Sequence, residues 1–91
     1  MPYKVIEDIP RQYCTPDLLS SVRCLGYKSD GYIRSLEKIV KDLGFNLPGS
    51  DDIDGKTYFG FRHNNMVRLY LNYCDAVANE IIFLHEQNLI K

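Results

Sequence analysis

The chain has 91 residues, of which 45% are hydrophobic and 25% are charged, and its formal net charge is −1. This length predicts one domain, and the composition excludes wholesale disorder. The near-zero charge argues against a purely electrostatic nucleic-acid binder, which would carry a strong basic excess, but it allows a locally basic surface.

The N-terminal part is predicted to contain an arm followed by a short helix. Residues 1–13 are expected to form an arm or a strand, because their apolar residues alternate only weakly and Pro10 lacks a backbone donor. Thr15 and Pro16 then supply a capping hydroxyl and a proline suited to the first helical position. The helix is expected to close at Gly26, which tolerates the left-handed backbone that ends many helices.

A second helix is predicted to begin at Ser29 or Asp30 and to close at Gly44. Its apolar residues recur at a 3-4-3 spacing and form one stripe along the helix. The opposite side carries cations at positions i, i+4 and i+7. The stripe consists of Ile33, Leu36, Val40 and Leu43, and the cations are Arg34, Lys38 and Lys41.

Two interpretations of these cations are open. On a helix that reads nucleic acid, exposed cations reach phosphates and base edges. On an ordinary surface helix they pair with acids four residues away, and this is the commoner situation. The candidate pairs are Asp30–Arg34, Glu37–Lys41 and Lys38–Asp42.

A two-stranded hairpin is predicted after the second helix. The turn pairs Pro48-Gly49 and Asp54-Gly55 bracket an acidic tip, and an aromatic strand follows Lys56. The carboxylates of the tip would repel phosphates and would suit a basic protein partner. They belong to Asp51, Asp52 and Asp54.

A long third helix is predicted from about Met66 to Asn88, with Asn64 or Asn65 as its cap. Near its end stand consecutive apolar residues that cover well over half of the helix circumference. A small domain buries only one side of such a helix, so the remaining apolar side predicts a homodimer or a contact with a partner. These residues are Ile81, Ile82, Phe83 and Leu84.

No signature of catalysis is visible in the sequence. Because it lacks a phosphate-binding loop, a Gly-rich dinucleotide turn and a carboxylate pair at acid–base spacing, we expect neither an enzyme nor a bound cofactor or metal. Three cysteines at unpatterned spacing indicate free thiols in a reducing compartment. Since no signal peptide and no long apolar run is recognisable, a cytoplasmic protein without membrane contact is expected.

Over about two-thirds of its length, the chain resembles the MerR-like and phage excisionase-like winged helix-turn-helix domains. The matching residues are Leu25-Gly26, Ile33-Arg34, Leu43-Gly44-Phe45 with Pro48, Gly55 with Tyr58 and Phe59, and Leu69. The resemblance implies that Arg34 and Lys38 face DNA and that Lys56 and Arg62 lie in the wing.

The predicted fold is α+β and mostly α. It is a winged helix-turn-helix-like domain with three helices, a two-stranded hairpin and a long C-terminal helix. The single domain 1–91 would comprise an arm or strand (1–13), the helix-turn-helix plus wing (14–62) and the C-terminal helix (63–91).

Two functions are compatible with this prediction. The first is a small regulator or recombination accessory protein that binds double-stranded DNA, as a homodimer. The second is a protein-interaction module of a phage or mobile element, which inhibits a host or defence protein through the acidic tip and exposed aromatic residues. The residues expected to contact DNA are Lys28, Arg34, Lys38, Lys41, Lys56 and Arg62.

Overall fold

The computed structural model describes residues 13–89, so nearly all of the arm predicted over residues 1–13 lies outside the described residues. The described part contains three helices and three strands in the order α, α, β, β, β, α. They are α1 (Pro16–Cys24), α2 (Ile33–Asp42), β1 (Gly49–Ile53), β2 (Lys56–His63), β3 (Met66–Tyr70) and α3 (Tyr73–Glu86).

The C-terminal helix α3 is the centre of the fold, because it packs against α1, α2 and the sheet. Its residues Cys74, Val77 and Ile81 are fully buried in a core shared with α1 and α2. Each apolar side chain buried in this way contributes roughly 1.5–3 kcal/mol, so this core holds the three helices together. The fully buried residues opposite α3 are Val22, Leu36 and Val40.

On its other side, α3 contacts the sheet through aromatic rings. The rings of Tyr73 and Phe83 lie against those of Phe59 and Phe61 on β2, and the ring centroids are 5.4 Å apart in each pair. Such aromatic pairs contribute about 0.5–1.5 kcal/mol beyond the area that they bury. The sheet is therefore attached to the helical core through α3.

The first helix has the predicted start and end. Pro16 is its first residue, and Gly26 follows its C-terminus with a φ of 99°. Thr15 occupies the cap position, but its side chain makes no capping hydrogen bond. Instead its backbone N–H donates to Oδ1 of Asp75 at 3.0 Å, which links the start of α1 to the first turn of α3.

The second helix begins later than Ser29 or Asp30, where the sequence predicted its start. Oδ1 of Asp30 accepts hydrogen bonds from the backbone N–H of Tyr32 and from the hydroxyl of Ser35, at 2.8 and 3.0 Å. Gly31 has a φ of 88°, which lies outside the helical region. The Asp30 side chain thus stabilises a non-helical turn, and α2 starts at Ile33.

The predicted fold is wrong in its strand count and in the length of the third helix. The segment Met66–Tyr70, which was expected to begin that helix, forms β3 and pairs antiparallel with β2. The result is a three-stranded sheet in the order β1-β2-β3, in place of the two-stranded hairpin expected for a winged helix. The C-terminal helix has 14 residues and begins at Tyr73.

The physical reason lies in the asparagines on either side of β3. Asn64 has a φ of 54° and forms a tight turn with Asn65 that returns the chain along β2, so neither residue caps a helix. The cap is Asn72, whose side chain accepts hydrogen bonds from the N–H groups of Cys74 and Asp75 at 2.9 and 3.3 Å.

The acidic tip is also placed differently from the prediction. Asp51 and Asp52 belong to β1, and only Asp54 lies in the turn. Asp54 and Gly55 have φ values of 51° and 82°, and positive φ at both positions is typical of the two-residue turn that fits the twist of a hairpin. The turn predicted at Asp54-Gly55 is confirmed, whereas Gly49, which was predicted to lie in a turn, begins β1, and the residues before Asp54 form a strand.

The apolar run near the end of α3 is covered within one copy of the chain. Ile81 is fully buried, Phe83 and Leu84 are each 2% exposed, and Ile82 is partly buried. The prediction of a homodimer depended on one side of this run facing solvent. Because α3 contacts helices and sheet at once, three of these four side chains lie in the core, and the homodimer stays a prediction.

Candidate functional site

The basic face, defined as Arg34, Lys38 and Lys41 on α2, is exposed as the sequence predicted. On the opposite side of α2, Leu36 and Val40 are fully buried against α3. This packing fixes the rotation of the helix about its axis. The cations are therefore presented to solvent along one line of about 10 Å, at 1.5 Å rise per residue.

The carboxylates near the basic face are mostly engaged elsewhere. Among residues 13–89, one of the three predicted pairs forms, between Nζ of Lys38 and Oδ2 of Asp42 at 2.8 Å. Glu37 turns inward and its Oε2 accepts a hydrogen bond from the hydroxyl of Tyr73 at 2.9 Å. Arg34 and Lys41 thus have no carboxylate partner among the described residues.

Asp30, the predicted partner of Arg34, is held by the loop that precedes α2. The hydrogen bonds from the backbone N–H of Tyr32 and from Ser35 keep the pKa of Asp30 below its usual value. The side chain is exposed, so it stays ionised, but its oxygen is directed toward its own turn. Within residues 13–89, this leaves Arg34 without a carboxylate partner.

The other predicted cations are not part of the basic face. Lys28 is exposed in the loop between α1 and α2. Lys56 and Arg62 are exposed at the two ends of β2, about 20 Å apart along the strand at 3.4 Å per residue. They lie on the sheet, which packs against α3, whereas the basic face lies on α2.

The predicted acidic residues lie on the outer strand of the sheet. Every residue of β1 is exposed, and Oδ1 of Asp52 accepts a hydrogen bond from the hydroxyl of Thr57 at 2.7 Å. Asp51 stands opposite Tyr58 in the register of β1 and β2. The carboxylates of Asp51, Asp52 and Asp54 therefore form an acidic margin of the sheet, separate from the basic face.

The structure also reveals an apolar strip that the sequence did not predict. Val67, Leu69 and Leu71 are 46%, 39% and 59% exposed, and they share one side of β3 and its continuation because side chains alternate along a strand. These residues were expected to lie on the third helix, so the strip was not predicted. The alternation of Val67, Arg68 and Leu69 is the pattern that indicates a strand.

A second feature missed by the sequence is a cleft between α3, the three strands and the loop that precedes β1, and Val67 and Leu69 of the apolar strip form part of its lining. It has a volume of about 430 Å³, and its walls include Phe45, Leu47, Phe61 and Phe83. Glu80 of α3 also lines it, although this residue is only 5% exposed. A charged residue in an apolar helix stripe is visible in the sequence, but its burial is not.

Two of the thiols are buried and one is exposed. Cys14 and Cys74 are buried, and burial raises the pKa of Cys74 to about 12, so this thiol is neutral and unreactive at pH 7. Burial likewise raises the pKa of Cys14. Cys24 is exposed on α1, and all three cysteines are free. The buried pair belongs to the core that joins α1 and α3.

Comparison of the chain with protein-family models, with curated proteins and with solved structures gave no match. Within residues 13–89, no group of three or more His, Cys, Asp and Glu side chains has a geometry suited to a metal ion. The helices found there are too short or too polar to cross a bilayer.

Proposed function

We propose that the protein binds double-stranded DNA through the basic face of α2. The observation that carries this proposal is the lack of a carboxylate partner for Arg34 and Lys41 among the described residues, although acids stand four residues from each in the sequence. Unpaired cations at fixed positions are available to phosphates without first breaking an ion pair. The function is that of a small DNA-binding regulator or accessory protein.

The dimensions of α2 support this proposal. Its 10 residues give it a length of about 15 Å, and an α-helix, with a diameter of about 10–12 Å, enters the major groove, which is about 12 Å wide. The hydrogen bond between Tyr73 and Glu37 ties α2 to α3 and adds to the packing of Leu36 and Val40. A rigidly held helix loses little conformational entropy when it binds.

The experiment compares two double variants of equal charge. Arg34→Ala with Lys41→Ala removes the unpaired cations of the basic face, and Lys56→Ala with Arg62→Ala removes two cations from the sheet. Fluorescence anisotropy with a labelled duplex at low salt should show at least a tenfold loss of affinity for the first variant and less than threefold for the second. Equal losses would indicate non-specific attraction, and no loss in either would remove the proposal.

A second candidate function is binding of a protein partner through the sheet. The observation that favours it is the exposed apolar strip of Val67, Leu69 and Leu71, in a sheet whose opposite margin carries the acidic residues of β1. A sheet that carries an exposed apolar strip on one margin and carboxylates on the other suits a partner with apolar and basic residues. This is the interaction module that would inhibit a host or defence protein.

Nuclease treatment separates the two candidates. A partner that binds the strip is expected to remain on the wild-type protein after digestion of nucleic acid, and to be lost from the variant with Val67→Ser and Leu71→Ser. The matched control is the basic-face double variant, which should retain the partner. Retention of the partner by the serine variant would rule out the strip as its binding surface.

A further inference from the structure

The side chain of Glu80 is buried without a hydrogen-bond partner for one of its oxygens. The residue is 5% exposed, and no donor in the described chain reaches Oε1. Leaving a buried charged group unpaired is among the most costly arrangements in a protein, and native structures usually avoid it. A group of this kind that lines a cleft is a candidate for contact with a ligand.

The cleft beside Glu80 has the size and the walls of a small-molecule site. Its volume of about 430 Å³ falls in the range of roughly 300–1,000 Å³ that such sites occupy. Phe45, Leu47, Phe61 and Phe83 provide apolar walls, polar side chains line much of the remaining surface, and Glu80 provides the buried polar group. Apolar walls with a few polar groups that fix orientation are typical of ligand pockets.

We propose that this cleft binds a small organic amine, with the ammonium group donating to the carboxylate of Glu80 and the apolar body lying against Phe61 and Phe83. An ammonium supplies both the hydrogen bond and the positive charge that the described residues do not provide to Oε1 of Glu80. The faces of the aromatic rings are also attractive to a cation. This site is separate from the basic face, and the proposal does not depend on DNA binding.

The other charged groups around the cleft do not supply what Glu80 lacks. Asp51, Arg62 and His63 line the cleft from β1 and β2, and the guanidinium of Arg68 on β3 lies 5.3 Å from the centre of the Phe83 ring. None of these side chains donates a hydrogen bond to Oε1 of Glu80. Burial alone raises the pKa of Glu80 to about 7, so about nine-tenths of the carboxylate is ionised at pH 8.

The test is a titration of the isotope-labelled protein at pH 8 with three probes of similar size, in which binding is monitored through the amide chemical shifts. Phenethylamine carries the ammonium, 2-phenylethanol a neutral donor and 3-phenylpropionate a negative charge. Phenethylamine is expected to shift the amides of residues that line the cleft, with a Kd on the order of 1 mM, as is usual for a fragment of this size. The alcohol should bind at least fivefold more weakly, and the acid should not bind.

The variant Glu80→Gln keeps the size of the side chain and removes its charge. It should lose at least tenfold in affinity for phenethylamine, while Glu86→Gln, on the exposed end of the same helix, should bind as the wild type does. If Glu80→Gln does not fold, Glu80→Met serves in its place. Binding of phenethylamine that is unchanged in either folded Glu80 variant would overturn the proposal, as would equal binding of the three probes.

Discussion

Glu80 stands on α3 among buried apolar residues, with Ala76 one turn before it and Phe83 and Leu84 one turn after it. Burial at this position raises the pKa of the carboxyl group and so disfavours its ionised form, and no donor among the described residues hydrogen-bonds to Oε1. The folded protein therefore binds a proton at Glu80 more tightly than the unfolded chain does. Its carboxylate reduces the stability of the fold as it ionises, and a ligand that donates to it would restore that stability.

The pH dependence of stability follows from this pKa. The pKa of Glu80 rises from 4.5 in the unfolded chain to about 7 in the folded protein. The contribution of Glu80 to the free energy of unfolding is therefore constant below pH 4.5, falls as pH rises to about 7 and is level above it. Between these two pH values, the contribution of Glu80 to the free energy of unfolding changes by at most about 3 kcal/mol.

Replacement of Glu80 by Gln removes this dependence. We expect Glu80→Gln and wild type to have similar free energies of unfolding at pH 4, and the variant to be more stable by up to about 3 kcal/mol at pH 8. Denaturant unfolding across this pH range measures the difference, and Glu86→Gln controls for loss of a surface carboxylate. A difference that is the same at pH 4 and pH 8 would show that the Glu80 carboxylate is not desolvated.

At the scale of elements, the sequence predicted those helices whose start and end signals are local. Thr15, Pro16 and Gly26 define α1 through their own backbone preferences, and the stripe from Ile33 to Leu43 defines α2. The strand β3 depends on pairing with β2 across the chain. Met66, Tyr70 and Tyr73 also fit a helical spacing, and local patterns do not separate these alternatives.

Among the candidate sites, too, the sequence predicted only the one that follows from a local pattern. The exposure of Arg34, Lys38 and Lys41 follows from the apolar stripe on the opposite side of α2, so the sequence predicted the basic face. The inward turn of Glu37 depends on Tyr73, which is 36 residues away, and the burial of Glu80 depends on the sheet. Contacts of this kind between distant segments leave no periodic signal in the sequence.

The pairing of β2 with β3 depends on Gly60. A Cβ atom at this position would lie 2.0 Å from the carbonyl oxygen of Arg68 and 2.7 Å from Cδ2 of Leu69, and the oxygen belongs to the neighbouring strand. Because a backbone carbonyl of a paired strand cannot move without disturbing the pairing, Gly60→Ala is expected to separate the strands. It should lower the free energy of unfolding by at least about 1–3 kcal/mol. Denaturant unfolding measures this loss.

Gly49 provides the matched control, because it stands directly opposite Gly60 on β1 and a Cβ there would meet nothing within 4 Å. Gly49→Ala should change the free energy of unfolding by less than about 0.5 kcal/mol. Equal losses for the two alanine variants would mean that the cost arises from strand glycines in general rather than from the close approach of β3.

At the scale of the whole molecule, charges are separated although their sum is close to zero. The formal net charge is −1, yet α2 carries the basic face and the margin of the sheet carries the carboxylates of β1. A balanced total is therefore compatible with a locally basic surface that attracts phosphates. The attraction should weaken as salt screens and replaces the bound ions.

The salt dependence of the affinity for duplex DNA is the most direct test of DNA binding through the basic face of α2. Each phosphate contact contributes about −0.9 to the slope of log K against log salt concentration. The double variant with Arg34→Ala and Lys41→Ala should therefore have a slope smaller in magnitude by about 1.8 than wild type, while the variant with Lys56→Ala and Arg62→Ala keeps the wild-type slope. A slope unchanged by loss of Arg34 and Lys41 would contradict DNA binding through the basic face of α2.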